Sequence, residues 1–264
     1  MAHDVYRIRT SRPVLWRTPS SVQVGVDEPA LIVDNIPDQA APLIHALQSG
    51  VSSDGFALLA QQLRVPLMTA KALVEGLSPA FEKDTTPRLP RLIVTGHSVT
   101  RRIVAETLSG WGYPTTLATR PRPGHSTAIH LLVSDYLIDP EWLPIYGSGR
   151  SRHVPLVFSD RSITAGPLVV PGKTPCLSCR ELHIREVEPH WLSLGSQLWG
   201  EQPPTATEPL SRLSAVLVAL VTGQFQLRTT EKSTHYPVAR YSMDTVRVEV
   251  TDAAFHAECR CRGL

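Results

Sequence analysis

The four cysteines, grouped in two close pairs, limit how this chain can fold more than any other feature. Two residues separate Cys176 from Cys179, one residue separates Cys259 from Cys261, and 79 residues lie between the pairs. Structural zinc sites bind Zn²⁺ through four thiolates in a tetrahedron, and each close pair can supply one edge. Two disulfides are the alternative, but a disulfide that spans a single intervening residue is strained. The spacing therefore predicts a structural zinc site with no ligand position left open for catalytic water.

The charge and apolar content of the chain exclude several classes of protein. Its 264 residues are enough for one large domain or two, and 26 basic against 24 acidic side chains give a formal net charge of +2. Such a balance is not the electrostatic footprint of a protein that binds nucleic acid or an anionic membrane. The first residues, MAHDVYRIRT, contain no apolar stretch, so no signal peptide is expected, and the sequence has no apolar run of about 18 residues. We therefore expect a cytoplasmic protein with reduced thiols.

The first third of the chain has the pattern of a small mixed domain. Short alternating stretches separated by turn residues predict strands at 13–17, 22–26 and 30–33. Apolar residues at helical spacing then predict three helices between residues 38 and 77. Three strands and three helices indicate a winged-helix-like domain over residues 1–84. The next six residues, 85–90, contain two prolines and no periodicity, so we interpret them as a linker.

The remaining residues, 91–264, have an α/β pattern. A short apolar run at 91–95 predicts a buried strand, which a turn at Gly96 connects to a helix over 99–108. This succession is typical of the start of a doubly wound, Rossmann-like fold. Further strands are predicted at 128–133 and 154–158, a hairpin at 163–170 around Gly166-Pro167, a long apolar helix at 211–227 and a final hairpin over 238–250.

The turn after the first α/β strand is where a nucleotide-binding fold carries G-x-G-x-x-G, whose glycines allow close approach to phosphate. Here the turn begins with Gly96, and Ser98 and Arg101 stand in place of the other two glycines. Gly96 and Ser98 are thus the candidate nucleotide contacts of a degenerate turn, and ATP binding is not expected. The alternative, which we favour, is a strand, turn and helix without a ligand.

The remaining polar candidates do not form a catalytic pattern. Asp135 and Asp160 follow strands, where α/β enzymes often place acids, but a turn or capping role is favoured for each. His183 and His256 lie close in sequence to the cysteines and are expected to neighbour the metal rather than bind it. Trp191 and Trp199 are expected to anchor a core or an interface. No G-x-S-x-G elbow is present, so we predict no catalytic residue.

The segment around the first cysteine pair carries a family resemblance. The string GPLVVPGKTPCLSC over 166–179, followed by Glu188-Pro189-His190-Trp191, resembles the ThiF/MoeB superfamily of ubiquitin-activating-enzyme-like proteins. Within it, the chain is most similar to the cyclodehydratase C proteins, or ocin-ThiF-like partners, of thiazole/oxazole-modified peptide (TOMM) biosynthesis, which also end in a cysteine pair close to a histidine. The N-terminal block resembles their PqqD-like peptide-recognition domain.

The resemblance implies a fold, a metal and partners. The second block would be an activating-enzyme fold with structural zinc, and the N-terminal domain would bind the leader of a precursor peptide. In that mode the extended leader adds to the third strand and packs against the third helix. The side chains that would contact it are Leu31, Val33, Lys71 and Glu75. The family partner is a YcaO-type cyclodehydratase, and activating-enzyme-like proteins are commonly homodimers.

The departures from the family decide between the functions that it offers. Adenylating members keep the glycine-rich turn, which is broken here after Gly96. We therefore expect a non-catalytic, leader-binding subunit of a cyclodehydratase. The cyclodehydratase would take part in the biosynthesis of azoline- or azole-modified, bacteriocin-like peptides. An ATP-dependent adenylyltransferase that activates a peptide or protein carboxyl terminus is the alternative. A peptide-binding regulator without a modification pathway is a third.

Overall fold

The structure is a computed structural model that describes residues 5–8, 12–27, 29, 31–81, 89–96, 99–120, 127–147, 151–228 and 235–263, with side chains omitted at 224–228 and 262–263. The chain divides into two compact units, residues 1–88 and 89–264. Part of the predicted linker, residues 85–88, lies outside the described residues, and so does Ser98. No helix in the described ranges is long and apolar enough to cross a membrane.

The first unit contains a three-stranded antiparallel sheet, a two-stranded ribbon and three helices. The sheet has the order β2-β3-β4, with strands Val14–Thr18, Ser21–Val24 and Leu31–Val33. The ribbon pairs β1, Val5–Tyr6, with β5, Val51–Ser52. The helices are α1 (Ala41–Ser49), α2 (Ser53–Gln62) and α3 (Leu67–Leu77), with 3-10 turns at Asp38–Ala40 and Ser78–Ala80. The three strands of the sheet and the three helices overlap the ranges that the apolar pattern predicts, whereas the β1–β5 ribbon was not predicted.

The core of the first unit forms where one face of the sheet meets the helices. Val22 and Val24 of the central strand are completely buried. Leu31 and Val33 pack against the same core, whereas Ile32 between them is exposed, as the period of two in a strand requires. The outer edge of β4 is paired with no described strand.

The second unit is built on a seven-stranded mixed sheet with the order β12-β11-β10-β9-β8-β6-β7. Four strands are parallel: β6 (Leu92–Thr95), β7 (Thr115–Ala118), β8 (Ile129–Asp135) and β9 (Arg152–Phe158). Three more extend the sheet in antiparallel fashion: β10 (Ser162–Ala165), β11 (Pro237–Ser242) and β12 (Arg247–Asp252). The prediction of an α/β fold is confirmed. The four parallel strands correspond to the parallel sheet that a doubly wound fold requires, and the antiparallel strands extend it.

Helices cover both faces of this sheet. On one face α4 (Thr100–Gly110) and α8 (Glu208–Arg228) share a core with the strands. On the other face α5 (Trp142–Gly147) and α6 (Leu177–Val187) pack around Leu132 and Val157. A short helix, α7 (Trp191–Gln197), and a C-terminal 3-10 turn, Arg260–Gly263, complete the unit.

The strand order creates a switch point between β6 and β8. The chain leaves β6 through α4 to β7 on one side, and β8 then pairs on the other side of β6. In open α/β sheets, ligands bind in the crevice outside the carboxyl ends of the strands at such a point.

The predicted hairpin over 163–170 is wrong. β10 instead pairs with β9 before it and with β11, which lies some 70 residues later in the chain. Beyond β10, Val169 forms an antiparallel bridge with His153. A partner so distant in sequence leaves no local pattern. The sequence therefore indicated pairing between the two halves of the apolar run at 163–170.

Candidate functional site

A tight turn positions the first cysteine pair. The carbonyl of Val170 accepts a hydrogen bond from the N–H of Lys173 at 2.9 Å, with Pro171 and Gly172 between them. Gly172 has φ +74°, as the third position of a type II turn requires. The N–H of Val170 also donates to Thr174 Oγ1 at 2.8 Å. These bonds fix the loop immediately before Cys176.

The first pair then occupies the start of α6. Cys176 is the N-cap residue of this helix, and Cys179 lies in its first turn with no exposed surface. The N-terminus of a helix carries a partial positive charge, which stabilises nearby thiolates.

The structure brings all four predicted cysteines together. Their sulfurs lie within 4.8 Å of one another. Cys176 Sγ is 4.0 Å from Cys179 Sγ and 3.6 Å from Cys259 Sγ, and Cys179 Sγ is 3.5 Å from Cys261 Sγ. A tetrahedral site with Zn–S bonds of about 2.3 Å places its sulfurs roughly 3.8 Å apart. All four thiols are free, so the disulfide alternative is not what the structure contains.

The chemistry of the four thiols also fits a bound cation. Burial raises the pKa of Cys259 and of Cys261. Burial pushes the pKa of Cys179 upward as well, but hydrogen bonds from the backbone of His256 and Cys176 outweigh it and lower that pKa. Four close thiols cannot all ionise without a compensating charge, which a divalent metal supplies.

His183 and His256 lie beside the four-cysteine cluster, in a separate group with Glu186. His183 Nδ1 is 3.2 Å from Glu186 Oε2, and His256 Nε2 is 2.9 Å from Glu186 Oε1. His183 Nε2 is 3.2 Å from the carbonyl oxygen of Ala254. The hydrogen bond with His183 is the main cause of a lowered pKa at Glu186. This cluster joins α6 to the C-terminal tail, the same two segments that the cysteines join.

A buried ion pair that the sequence reasoning missed supports α6 next to Cys179. Arg180 Nη1 donates to Glu181 Oε1 at 2.6 Å, and Trp191 Nε1 donates to Glu181 Oε2 at 2.9 Å. Glu181 is only 9% exposed. Trp191 therefore holds a carboxylate in place rather than filling an apolar core.

A cavity of about 610 Å³ lies at the switch point between β6 and β8. Ser134 and Asp135, at the end of β8, form part of its wall. Three further carboxylates line it: Asp139, Glu141 and Glu201. Burial raises the pKa of Asp135 to about 6. Asp135 thus lines a ligand-sized space, which corrects the expectation of a turn or capping role.

Gly96 and Arg101 of the degenerate turn have structural contacts. A Cβ at Gly96 would lie 2.5 Å from the carbonyl oxygen of Val133, so close packing against β8 requires glycine here. Arg101 Nη1 donates to the carbonyl oxygens of Gly96, at 2.9 Å, and Ala118, at 3.0 Å. The guanidinium therefore joins the carboxyl ends of β6 and β7.

A buried polar cluster on the other strands was also missed. His130 and His153 are opposite one another in β8 and β9, and each is at most 1% exposed. His130 Nδ1 lies 3.0 Å from the hydroxyl of Tyr146. Burial lowers the pKa of His130, and lowers that of His153 to about 4, so both rings are neutral near pH 7. The signal available in the sequence was a histidine inside an otherwise apolar strand.

The predicted peptide contacts all belong to the first unit. Leu31 and Val33 are half-buried in β4, and Lys71 and Glu75 are exposed on α3. Gly76 is the α3 glycine that faces β4, since a Cβ there would lie 3.6 Å from Val33 Cγ2. At 100° per residue, Lys71 lies about 140° around the helix from Gly76.

No protein-family model matches the sequence, and no curated protein matches it. Solved structures do resemble the chain. The heterocyclase TruD matches 98% of this chain with a TM-score of 0.70 at 14% identity. A heterocyclase in complex with substrate and cofactor matches 98% with a TM-score of 0.69 at 16% identity. The chain spans 43% and 39% of the length of those two proteins.

Two E. coli structures resemble the chain over their whole length. MccB with ATP matches 98% of this chain and 100% of its own, with a TM-score of 0.55 at 10% identity. A chain of the microcin synthetase McbBCD complex with pro-MccB17 bound matches 99% and 100%, with a TM-score of 0.54 at 13% identity. At these identities the comparisons establish the fold: the chain has the mixed α/β fold found in heterocyclase components.

Proposed function

We propose that this chain is a leader-peptide-binding partner of a YcaO-type cyclodehydratase in the biosynthesis of azoline- or azole-modified peptides, without nucleotide chemistry of its own. The observation that carries the proposal is the extent of the structural match. Nearly all of this chain corresponds to less than half of a heterocyclase. In this proposal the rest of that activity is supplied by the cyclodehydratase.

The second group of neighbours supports a role within an assembly of several proteins. In the microcin synthetase complex a chain of this fold is one component of a multi-protein assembly. The same fold therefore occurs both inside a longer heterocyclase and as one chain of a complex. The present chain matches the whole of the latter, and in this proposal it likewise works together with other proteins of a synthetase.

The metal of the four-cysteine centre is, in this proposal, a structural Zn²⁺. Cys176, Cys179, Cys259 and Cys261 would hold it. A closed set of four thiolates leaves no position for water, so the metal would contribute stability and not catalysis. It would fasten the C-terminal tail to the start of α6.

The peptide site, in this proposal, lies in the first unit between β4 and α3, which we interpret as a PqqD-like, winged-helix-like domain. An added strand would pair with the free edge of β4, where Leu31 and Val33 line the inner face. Gly76 leaves space beside Val33 for such a strand. Glu75 and Lys71 lie further around α3, so they would contact only the flank of the peptide.

The homodimer remains part of the proposal on family grounds alone. The apolar residues of α8 do not support it independently, because Ala215, Leu217, Val218 and Val221 are already buried in the core of one chain.

The alternative is an ATP-dependent adenylyltransferase, which the likeness to MccB with ATP favours. Polyphosphate would meet four carboxylates in the cavity at the switch point. No lysine, arginine or histidine is among the described residues that line it. ATP–pyrophosphate exchange that depends on an added peptide would establish this alternative and displace our proposal.

The direct test is binding of a leader peptide to the full chain. Fluorescein-labelled leaders, synthesised from short reading frames beside the gene, are titrated with zinc-loaded protein and followed by anisotropy. We expect Gly76→Phe, which fills the space beside Val33, to weaken binding about tenfold or more. Gly76→Ala is the control, because its Cβ makes only an ordinary contact.

The same protein is then mixed with the neighbouring YcaO-type protein, a precursor peptide and ATP. Mass spectrometry should show loss of one water per ring formed, at a rate that rises when this chain is added. Absence of both leader binding and rate enhancement would contradict the proposal.

A further inference from the structure

The cavity at the switch point has an electrostatic character that the proposed function does not use. Four carboxylates line it, from the end of β8 (Asp135), from the segment that follows (Asp139 and Glu141) and from the loop after α7 (Glu201). The described part of its wall contains no basic side chain. A cavity with such a wall repels anions and attracts cations.

Two buried polar atoms in the wall, Ser134 Oγ and Asp135 Oδ1, lack a partner in the part of the chain that the structure describes. Ser134 is 8% exposed, and its Oγ has no hydrogen-bond partner among the described residues. Asp135 Oδ1 is equally buried and equally without a partner. Buried acceptors left without donors are costly, so a ligand that brings donors to this end of β8 gains affinity. Burial has already raised the pKa of Asp135 to about 6, as expected for a carboxylate without a counter-charge.

The arrangement suits an organic cation better than a metal ion. In the described ranges only two groups of three or more His, Cys, Asp or Glu side chains bring their ligand atoms within 4.8 Å of one another. Neither group contains a residue of the cavity. The carboxylates are therefore too dispersed to share a single small ion, whereas the cavity volume is in the range of small-molecule sites.

The rest of the wall is apolar and aromatic. Leu137 and Leu198 line the cavity, and Trp199 lines it with 55% of its surface exposed. An exposed indole beside carboxylates is suited to an alkyl cation, because the ring face attracts the charge and the apolar wall covers the stem. An exposed Trp199 also does not serve as the core anchor that the sequence suggested.

We propose that the cavity at the carboxyl ends of β6 and β8 binds an organic cation, an ammonium or guanidinium group on an apolar stem. The charged group pairs with Asp135 and Glu201, donates to Ser134 Oγ, and leaves its stem against Trp199. The site occupies the position where a nucleotide would bind in this fold, with the preferred charge of the ligand reversed. It is independent of the peptide site between β4 and α3.

The test is calorimetric titration of n-pentylguanidinium and n-pentylammonium into the zinc-loaded full chain at about pH 7.5, where Asp135 is ionised. The uncharged n-pentylurea is the matched ligand control. We expect the cations to bind at least about tenfold more tightly than the urea. N-acetyl-arginine methylamide distinguishes the two possible sources of the cation, a peptide side chain and a free amine. Binding as tight as that of the alkyl cations assigns the cavity to a peptide side chain. Binding of the free alkyl cations alone assigns it to small amines.

Variants locate the site. Asp135→Asn and Glu201→Gln should each weaken cation binding about fivefold or more. Asp160→Asn is the matched control, because Asp160 also follows a strand but is exposed and does not line the cavity. Equal affinity for cation and urea, unchanged affinity in both cavity variants, or ATP binding that the cations cannot displace would each overturn the proposal. None of these results bears on leader binding by the first unit.

Discussion

The four-cysteine centre and the cavity between β6 and β8 both gather acidic groups, but they do so at very different densities. The four sulfurs lie within 4.8 Å of one another, whereas the four carboxylates are distributed around a cavity of about 610 Å³. Thiolates as near to one another as these need one small cation among them. A set of four thiolates leaves no coordination position at which another ligand could bind. Dispersed carboxylates beside polar atoms that have no partner among the described residues can bind and release a larger ligand. One region is suited to permanent stabilisation, and the other to reversible binding.

The largest effect should follow from breaking the metal centre. Cys259→Ser removes one of the four ligands, and we expect loss of stoichiometric zinc and a fall of roughly 10 °C or more in the thermal midpoint. Zinc content by mass spectrometry and calorimetric melting measure both. Glu258→Gln, at the exposed neighbouring position, is the control. Full zinc content together with unchanged stability in Cys259→Ser would show that the four-cysteine centre does not stabilise the fold.

The second effect concerns the turn at Gly96, which packs against β8. In Gly96→Ala the new Cβ would lie 2.5 Å from the carbonyl oxygen of Val133, so backbone must move, at a cost of about 2–3 kcal/mol in unfolding free energy. Gly110→Ala, with open space around its Cβ, should be neutral or slightly stabilising. Urea denaturation compares the two. A Gly96→Ala variant as stable as Gly110→Ala would show that packing does not require glycine at this turn.

These two regions also differ in what the sequence could predict. Each cysteine pair is a local signal, and a four-thiolate site would use all four thiols, so the clustering of the cysteines could be predicted from spacing alone. The cavity is different, because Asp135 and Glu201 come together only through the fold. The pairing of β10 with the distant β11 was missed for the same reason. Local apolar periodicity was sufficient for the strands and helices of the first unit, in which neighbours in sequence are neighbours in space.

A smaller effect, dependent on pH, should come from Asp135. Its folded pKa of about 6 lies above the ordinary value of 3.8, so the contribution of Asp135 to stability is most favourable below pH 3.8 and is lost as the pH rises through 6. Asp135→Asn removes the cost of the charge. We expect the variant to be more stable than the parent by about 1–2 kcal/mol above pH 7, allowing for partial exposure of the carboxylate.

Urea denaturation of Asp135→Asn and the parent protein across pH 4–8 checks this expectation, with Asp160→Asn again as control. The difference between Asp135→Asn and the parent should shrink as the pH falls below 6. If Asp135→Asn is more stable than the parent and also binds cations more weakly, then the Asp135 carboxylate contributes to ligand binding and lowers the stability of the fold. If the difference in unfolding free energy between Asp135→Asn and the parent did not depend on pH, burial would not be destabilising the charged carboxylate.

The smallest effect separates Arg101 from a ligand-binding role. Arg101→Met removes the bonds to the carbonyls of Gly96 and Ala118 and should cost about 1 kcal/mol of unfolding free energy. Arg102→Met, which loses only an exposed contact with Glu106, should cost less than about 0.5 kcal/mol. Affinity for n-pentylguanidinium should stay the same in both, because neither arginine is among the described residues of the wall. Tighter cation binding in Arg101→Met would instead mean that its charge reaches the cavity, and the contrast between the two regions would be weaker than the structure implies.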